Sequence, residues 1–281
     1  MKRSTFVSKV YLFLLLFFLF APIFVLIFFS FNEGKSTSVF QGFSFRWYRN
    51  LFEDEEALSA LRNSLILAVS SSMIATVMGT FAAYGISRMR KKYLRTAVMS
   101  VTNIPMMNPD IITGISLMLM FVFVGTLLGL TETLSFATML IAHITFGVPY
   151  VILSVLPKFN QMDKSMPEAA LDLGCTPLQS FFKVELPEIM PGVMTGAIMA
   201  FTMSLDDFVI SLFTKGSSFQ TLPLYIYGMT KKSVSPKIYA LATIIFFAIL
   251  ILLLVTNAIS ASDEKKQAKL NRSLRRTPAA K

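Results

Sequence analysis

The sequence predicts an all-α, polytopic membrane protein of six transmembrane helices, and three observations carry that prediction. Of its 281 residues, 54% are hydrophobic and only 15% charged, where soluble domains carry about a quarter charged residues. The apolar residues gather into runs long enough to cross a hydrocarbon layer of about 30 Å. The 26 Lys and Arg residues divide unevenly between two alternating sets of polar segments. The single cysteine, Cys175, excludes an internal disulfide, a Cys-based zinc cluster and CxxC redox chemistry. The net charge of +10 comes from residues that border the apolar runs. It therefore reads as membrane topology and not as nucleic-acid binding.

Taken in order, residues 10–31 form the first span, interrupted only by Pro22 and preceded by Lys2, Arg3 and Lys9. The run is longer than a signal-peptide core and has no small-x-small cleavage site, so it is expected to be retained. Residues 32–57 are polar. Within them Phe43, Phe45, Trp47, Tyr48, Leu51 and Phe52 read as interfacial, because Trp and Tyr prefer the headgroup level. The acidic run at 53–56 reads as a solvated surface. Residues 63–86 form the second span, where Ala68, Ser72, Ala75, Gly79 and Ala83 recur at helical spacing and make one small face for close helix approach.

A basic turn of Arg88, Arg90, Lys91, Lys92 and Arg95 precedes the third span, 97–130, which is broken at 108–110. There Asn108 is expected as N-cap, Pro109 at the first helical position and Asp110 on the positive end of the helix dipole. Residues 111–130 can cross alone, leaving 97–107 as a shallow or broken entry. The fourth span, 133–157, is kinked at Pro149 and carries the only histidine, His143, read as a buried ring bonded to a neighbouring helix. The fifth is 193–213 and the sixth 238–262, with a basic tail at 263–281. This arrangement puts 18 of the Lys and Arg residues on the cytoplasmic side and eight on the other. Both termini are thus expected in the cytoplasm.

The loop at 158–192 carries its own helical punctuation. Ser165 and Glu168 stand in the order of a capping box, Pro167 suits a first turn, and Gly174 is placed for a left-handed stop. Thr176, Pro177 and Gln179 start a second piece, which Pro187 is expected to end before Pro191 and Gly192 reset the chain. Two short helices joined at a glycine elbow outside the bilayer have the shape of a docking element.

Asp206 and Asp207 fall inside the fifth span. A mid-membrane carboxylate costs roughly 2.5–3.5 kcal/mol on insertion scales, so two adjacent ones need a reason. On a continuous helix Ser204, Asp207 and Ser211 share one face, with Asp206 on an adjoining one. That stripe suits a water-filled passage, to which Asp110 could also contribute. There is no G-x-x-x-x-G-K-[ST] segment to cradle ATP phosphates, and one His with one Cys leaves most triads and metal sites out of reach. Catalysis is not expected, and the energy must come from a partner.

Glu168, Ala169 and Ala170, with Gly174 and the later Leu186-Pro187, resemble the EAA loop of ABC-importer permeases. The phrase Ser204 to Ser211 is similar to the permeases of spermidine/putrescine ABC importers, as are Phe45-Arg46-Trp47-Tyr48 and Ala142-His143-Ile144. The resemblance runs over residues 10–260. It implies a type I, MetI-like fold in the bacterial inner membrane and an ATPase-coupling set of Glu168, Ala169, Ala170, Asp172 and Gly174. It also implies four kinds of partner: a second permease in a heterodimer, a cytoplasmic ATPase dimer that uses the ATP, a periplasmic polyamine-binding protein and a polyamine. Relatives with other solutes share parts of the pattern, so another small solute is the alternative substrate. An ion-coupled secondary transporter using Asp206, Asp207 and His143 is the alternative class, weakened by the lack of detectable half-to-half symmetry. A non-transporting membrane scaffold that docks through the loop is the third.

Overall fold

The apolar runs fold as helices because a chain in hydrocarbon must satisfy its own N–H and C=O groups. The computed structural model describes residues 2–251 apart from 35, 37, 38, 164, 218 and 233–235, together with residue 254. Among the described residues, five helices are long and apolar enough to cross a membrane, and a shorter apolar helix, Lys237–Ile251, follows them. The remainder of the expected sixth span and the basic tail lie outside the described residues. The chain divides into two compact units, Met1–Glu55 with Gly228–Lys281, and Glu56–Tyr227.

In the first unit, α1 (Lys2–Ser30) runs through Pro22 and exposes apolar side chains from Val10 to Phe28. A helix apolar all round has lipid as its solvent. The short α2 (Arg46–Phe52) follows. Trp47, unlike Phe43, Phe45 and Phe52, is buried against the protein. It is 6% exposed, and its indole Nε1–H donates to the Asn32 carbonyl at 2.7 Å. A buried indole needs such an acceptor, and the chain just beyond α1 supplies one. Phe43, Phe45 and Phe52 remain exposed beside it. Lys237 pairs with Asp54 in the same unit.

The second unit is organised on α3 (Glu55–Ser87), α6 (Phe136–Gln161) and α9 (Leu186–Asp206). The small face expected on α3 is buried: Ala68, Ala75 and Ala83 are fully covered, and Ser72 and Gly79 are buried with them. A Cβ on Gly79 would lie 2.6 Å from the Val151 Cβ of α6, so only glycine permits this approach. The core continues through Ile152, Val155, Leu156, Phe159, Ile189 and Ala200.

Between α3 and α6 come α4 (Lys92–Met107) and α5 (Asp110–Leu127), with the break where the sequence puts it. The cap differs by one residue. Asn108 is extended, with φ −75° and ψ 141°, and closes α4, while Pro109 precedes α5. The residue before a proline is driven out of the helical region, so Asn108 does not start a helix.

The largest difference lies before α9. Pro187 does not end a helix. The short α8 (Pro177–Ser180) passes through a π-turn, Phe181–Glu185, directly into α9. There the Leu186 N–H donates five residues back, to the Phe181 carbonyl. A proline ring crowds the carbonyl four residues before it, and a wider turn at that point relieves the crowding.

The π-turn also holds a buried charge. Glu185 is 2% exposed at its side chain and accepts from the half-exposed Arg88 guanidinium at 2.6 Å. Arg88 in turn lies over the Tyr84 ring. The other Glu185 oxygen, Oε2, has no hydrogen-bond partner among the described residues. Stranding one member of a buried pair costs about 3–5 kcal/mol, and the exposure of Arg88 places this pair below that range. Arg88→Ala should therefore lower the thermal unfolding midpoint in detergent by a few degrees. Glu185→Gln should lower it less, because the amide keeps a neutral acceptor and leaves no charge behind. Equal midpoints for the two variants would remove the ion pair from the account.

Candidate functional site

Two places gather the residues singled out by the sequence: the elbow after α6 and a break in the fifth span.

At the elbow, α7 (Ser165–Asp172) buries Pro167 and Ala170 and exposes Glu168, Ala169, Leu171 and Asp172. Ser165 is its first residue and not its cap, and no capping box forms with Glu168. The Asp163 Oδ1 accepts the Ser165 N–H at 3.0 Å instead. That backbone bond, with a second from the Ser165 hydroxyl, holds the Asp163 carboxyl below its usual range. The end of α7 is as the sequence suggests. Gly174 has φ +89°, its N–H donates to the Leu171 carbonyl, and the Cys175 N–H donates to the Ala170 carbonyl. This is a Schellman stop, which satisfies two carbonyls that the helix end would orphan. Thr176 then forms the expected capping box with Gln179. Leu173 is 86% exposed and Leu178 66%, so the elbow exposes large apolar side chains as well as Glu168 and Asp172.

In the fifth span the expected continuous helix is overturned. α9 stops at Asp206, Asp207 is extended with ψ 124°, and α10 (Val209–Thr214) begins after Phe208. A break frees backbone groups, and the Asp207 carboxylate takes up two of them. Its Oδ1 accepts the Ile210 N–H at 3.1 Å and its Oδ2 the Ser211 N–H at 2.7 Å. The Asp207 side chain is 8% exposed, whereas Asp206 is exposed. The shared face of Ser204, Asp207 and Ser211 is thus not an open stripe. These residues turn inward onto His143.

The His143 ring, on α6, has both nitrogens engaged. Nδ1 lies 2.7 Å from the Ser204 Oγ, and Nε2 lies 3.0 Å from the Ser211 Oγ and 3.5 Å from the Asp207 Oδ2. A carboxylate only accepts, so the network assigns the proton to Nε2. Nδ1 then accepts the Ser204 hydroxyl, whose oxygen takes the Ser71 Oγ–H from α3 at 2.9 Å. One polar chain therefore joins α3, α9, α6 and α10. Asp110 stands outside it, exposed in the first turn of α5.

The sequence signalled His143 and Asp207 separately but not their meeting, since they stand 64 positions apart in the chain. The local sign for the break was available. An Asp three residues ahead of Ile210 and four ahead of Ser211 is placed to cap a new helix.

Over residues 75–265 the chain matches the family described as "Binding-protein-dependent transport system inner membrane component". The putrescine transport system permease protein PotI of Escherichia coli K12 is 37% identical over 250 residues, 89% of each chain. The spermidine/putrescine transport system permease protein PotC of Haemophilus influenzae is 35% identical over 258 residues, 92% of this chain and 98% of that one. Among solved structures, a bacterial ABC transporter that imports the acidic polysaccharide alginate aligns with TM-score 0.73 at 19% identity. That alignment covers 93% of this chain and 96% of its counterpart. The MetNI methionine ABC transporter aligns with TM-score 0.54 at 17% identity, over 74% of this chain and 98% of its own. The helical architecture is thus the type I, MetI-like one. From the matched residues and the identity along most of its length, the chain belongs to the binding-protein-dependent inner-membrane components, the permease subunits of ABC importers.

Proposed function

We propose that this permease is one of two different membrane subunits that together admit polyamines, with ATP hydrolysed by a cytoplasmic ATPase dimer and substrate delivered by an extracytoplasmic polyamine-binding protein. One observation carries the substrate class: an exposed carboxylate, Asp206, at a break in a membrane span. An exposed charge at that depth is tolerated where it lines a polar passage, and a negative one offsets the water that an ammonium group loses there. The names of the PotI and PotC relatives point to the same class of flexible aliphatic cation. Asp110 is a second exposed carboxylate available to that passage.

The α7 elbow is the surface offered to the ATPase. It presents Glu168, Ala169 and Asp172 as well as the exposed Leu173 and Leu178, on a helix end fixed by Gly174. The same rod that begins at Thr176 continues through the π-turn to Asp206, which gives docking a mechanical route to the break. The Lys and Arg imbalance supports an orientation with the elbow and both termini in the cytoplasm.

Uptake by the assembled transporter tests the substrate site. Asp206→Asn should abolish most uptake of spermidine or putrescine while ATPase association persists. Asp207→Asn should cost less, because its amide oxygen still accepts one of the two backbone N–H groups and the exposed charge at Asp206 is kept. Unchanged uptake in Asp206→Asn would end the assignment.

At the elbow, nothing lies within 4 Å of a Cβ built on Gly174, so Gly174→Val strains the backbone alone. Left-handed backbone costs a residue with Cβ about 1–2 kcal/mol. Gly174→Val and Glu168→Lys should both reduce the ATPase that co-purifies, with membrane insertion normal. Wild-type amounts of ATPase on both variants would place docking elsewhere.

Orientation is checked by labelling. In a Cys175→Ser background, Ser165→Cys should react only from the cytoplasm and Ser217→Cys only from outside. The reverse pattern would invert the topology.

A further inference from the structure

His143 is the only histidine in the chain, and the transport assignment above gives it no role. Its ring is 4% exposed and spans the break: Nδ1 holds Ser204 in the last turn of α9, and Nε2 holds Ser211 in the first turn of α10. The Asp207 carboxylate lies between these pieces with both oxygens on α10 backbone N–H groups and Oδ2 3.5 Å from Nε2. Asp206, its neighbour in the chain, stays exposed.

Two adjacent acids on an unbroken helix would project about 100° apart, and a wet passage wide enough for a polyamine could meet both. The break and its histidine tie prevent that. We propose that His143 sets the number of negative charges a passing cation meets. By bracing Ser204 and Ser211 across the break, it preserves the α10 cap that keeps Asp207 turned in, and leaves Asp206 as the exposed carboxylate there. His143 is thus a positioning residue that determines selectivity between substrates of different charge. The inference rests on the assignment of Asp206 to the substrate path.

The tie has a stereochemical signature. The amide nitrogen of a glutamine reaches about as far as Nε2 and can donate to Ser211 and Asp207. An asparagine ends near the Nδ1 position and cannot. Releasing Asp207 adds a second charge to the passage and should favour the triamine spermidine over the diamine putrescine.

The test is the ratio of spermidine to putrescine uptake by the complete transporter in proteoliposomes, at saturating loaded binding protein so that the membrane step is read. His143→Ala and His143→Asn should raise the ratio about three- to fivefold, the size of one exposed charge pair. His143→Gln should keep the wild-type ratio. His143→Ala/Asp207→Asn should return to it, because the released side chain is then neutral. General damage to packing lowers both uptakes and leaves their ratio unchanged. An unchanged ratio in His143→Ala, or a raised ratio that persists in the double variant, overturns the proposal. If His143→Ala fails to assemble, Ser211→Ala decides: a raised ratio supports the tie and an unchanged one overturns it. Full uptake in Asp206→Asn overturns the substrate-path assignment and this inference with it. Loss of uptake in Asp206→Asn with every ratio unchanged overturns this inference alone.

Discussion

A helix interrupted within a membrane leaves N–H and C=O groups that hydrocarbon cannot satisfy, and the fifth span depends on how that demand is met. Asp207 answers it for the first turn of α10, and His143 braces the two helical pieces through Ser204 and Ser211. A carboxylate that accepts two backbone bonds and faces an imidazole is no longer a bare charge in a low-dielectric medium. The cost that made the acid pair conspicuous in the sequence is therefore offset at one residue by local bonding. At the other, Asp206, it is offset by exposure.

The polar chain at this break is seated on a core made of small residues. Gly79 lets α3 meet Val151, and Gly147 brings α6 within van der Waals reach of Ala75 and Ala200. Helices gain no hydrophobic drive from leaving lipid for one another, so this packing and a few buried hydrogen bonds must suffice. Ser71 reaches Ser204 because the α3, α6 and α9 backbones are this close.

Features set by neighbouring residues were legible in the sequence. The small stripe of α3, the left-handed Gly174, the Thr176 capping box and the third-span break at 108–110 each depend on a handful of adjacent positions. The misreadings share one cause, which is that something outside the local pattern decided the outcome. Pro187 reads as a stop unless the π-turn before it is known, and its widened ladder leaves no mark in apolar periodicity. Nothing near Trp47 in the sequence shows that the Asn32 carbonyl receives its indole N–H. Asp207 reads as one position on the face of a continuous helix, and becomes a cap only when ψ at that residue turns extended. The meeting of His143 with Ser204, Ser211 and Asp207 is tertiary, so no spacing rule could supply it.

A π-turn is the form a helix takes when it has absorbed one residue more than its ladder needs. Confined to Phe181–Glu185, that surplus does not propagate, and Ile189, Gly192, Gly196, Ala200 and Ser204 still fall on the buried side of α9. The wide turn thus sets the phase between the elbow and the small-residue face, which stays turned into the core.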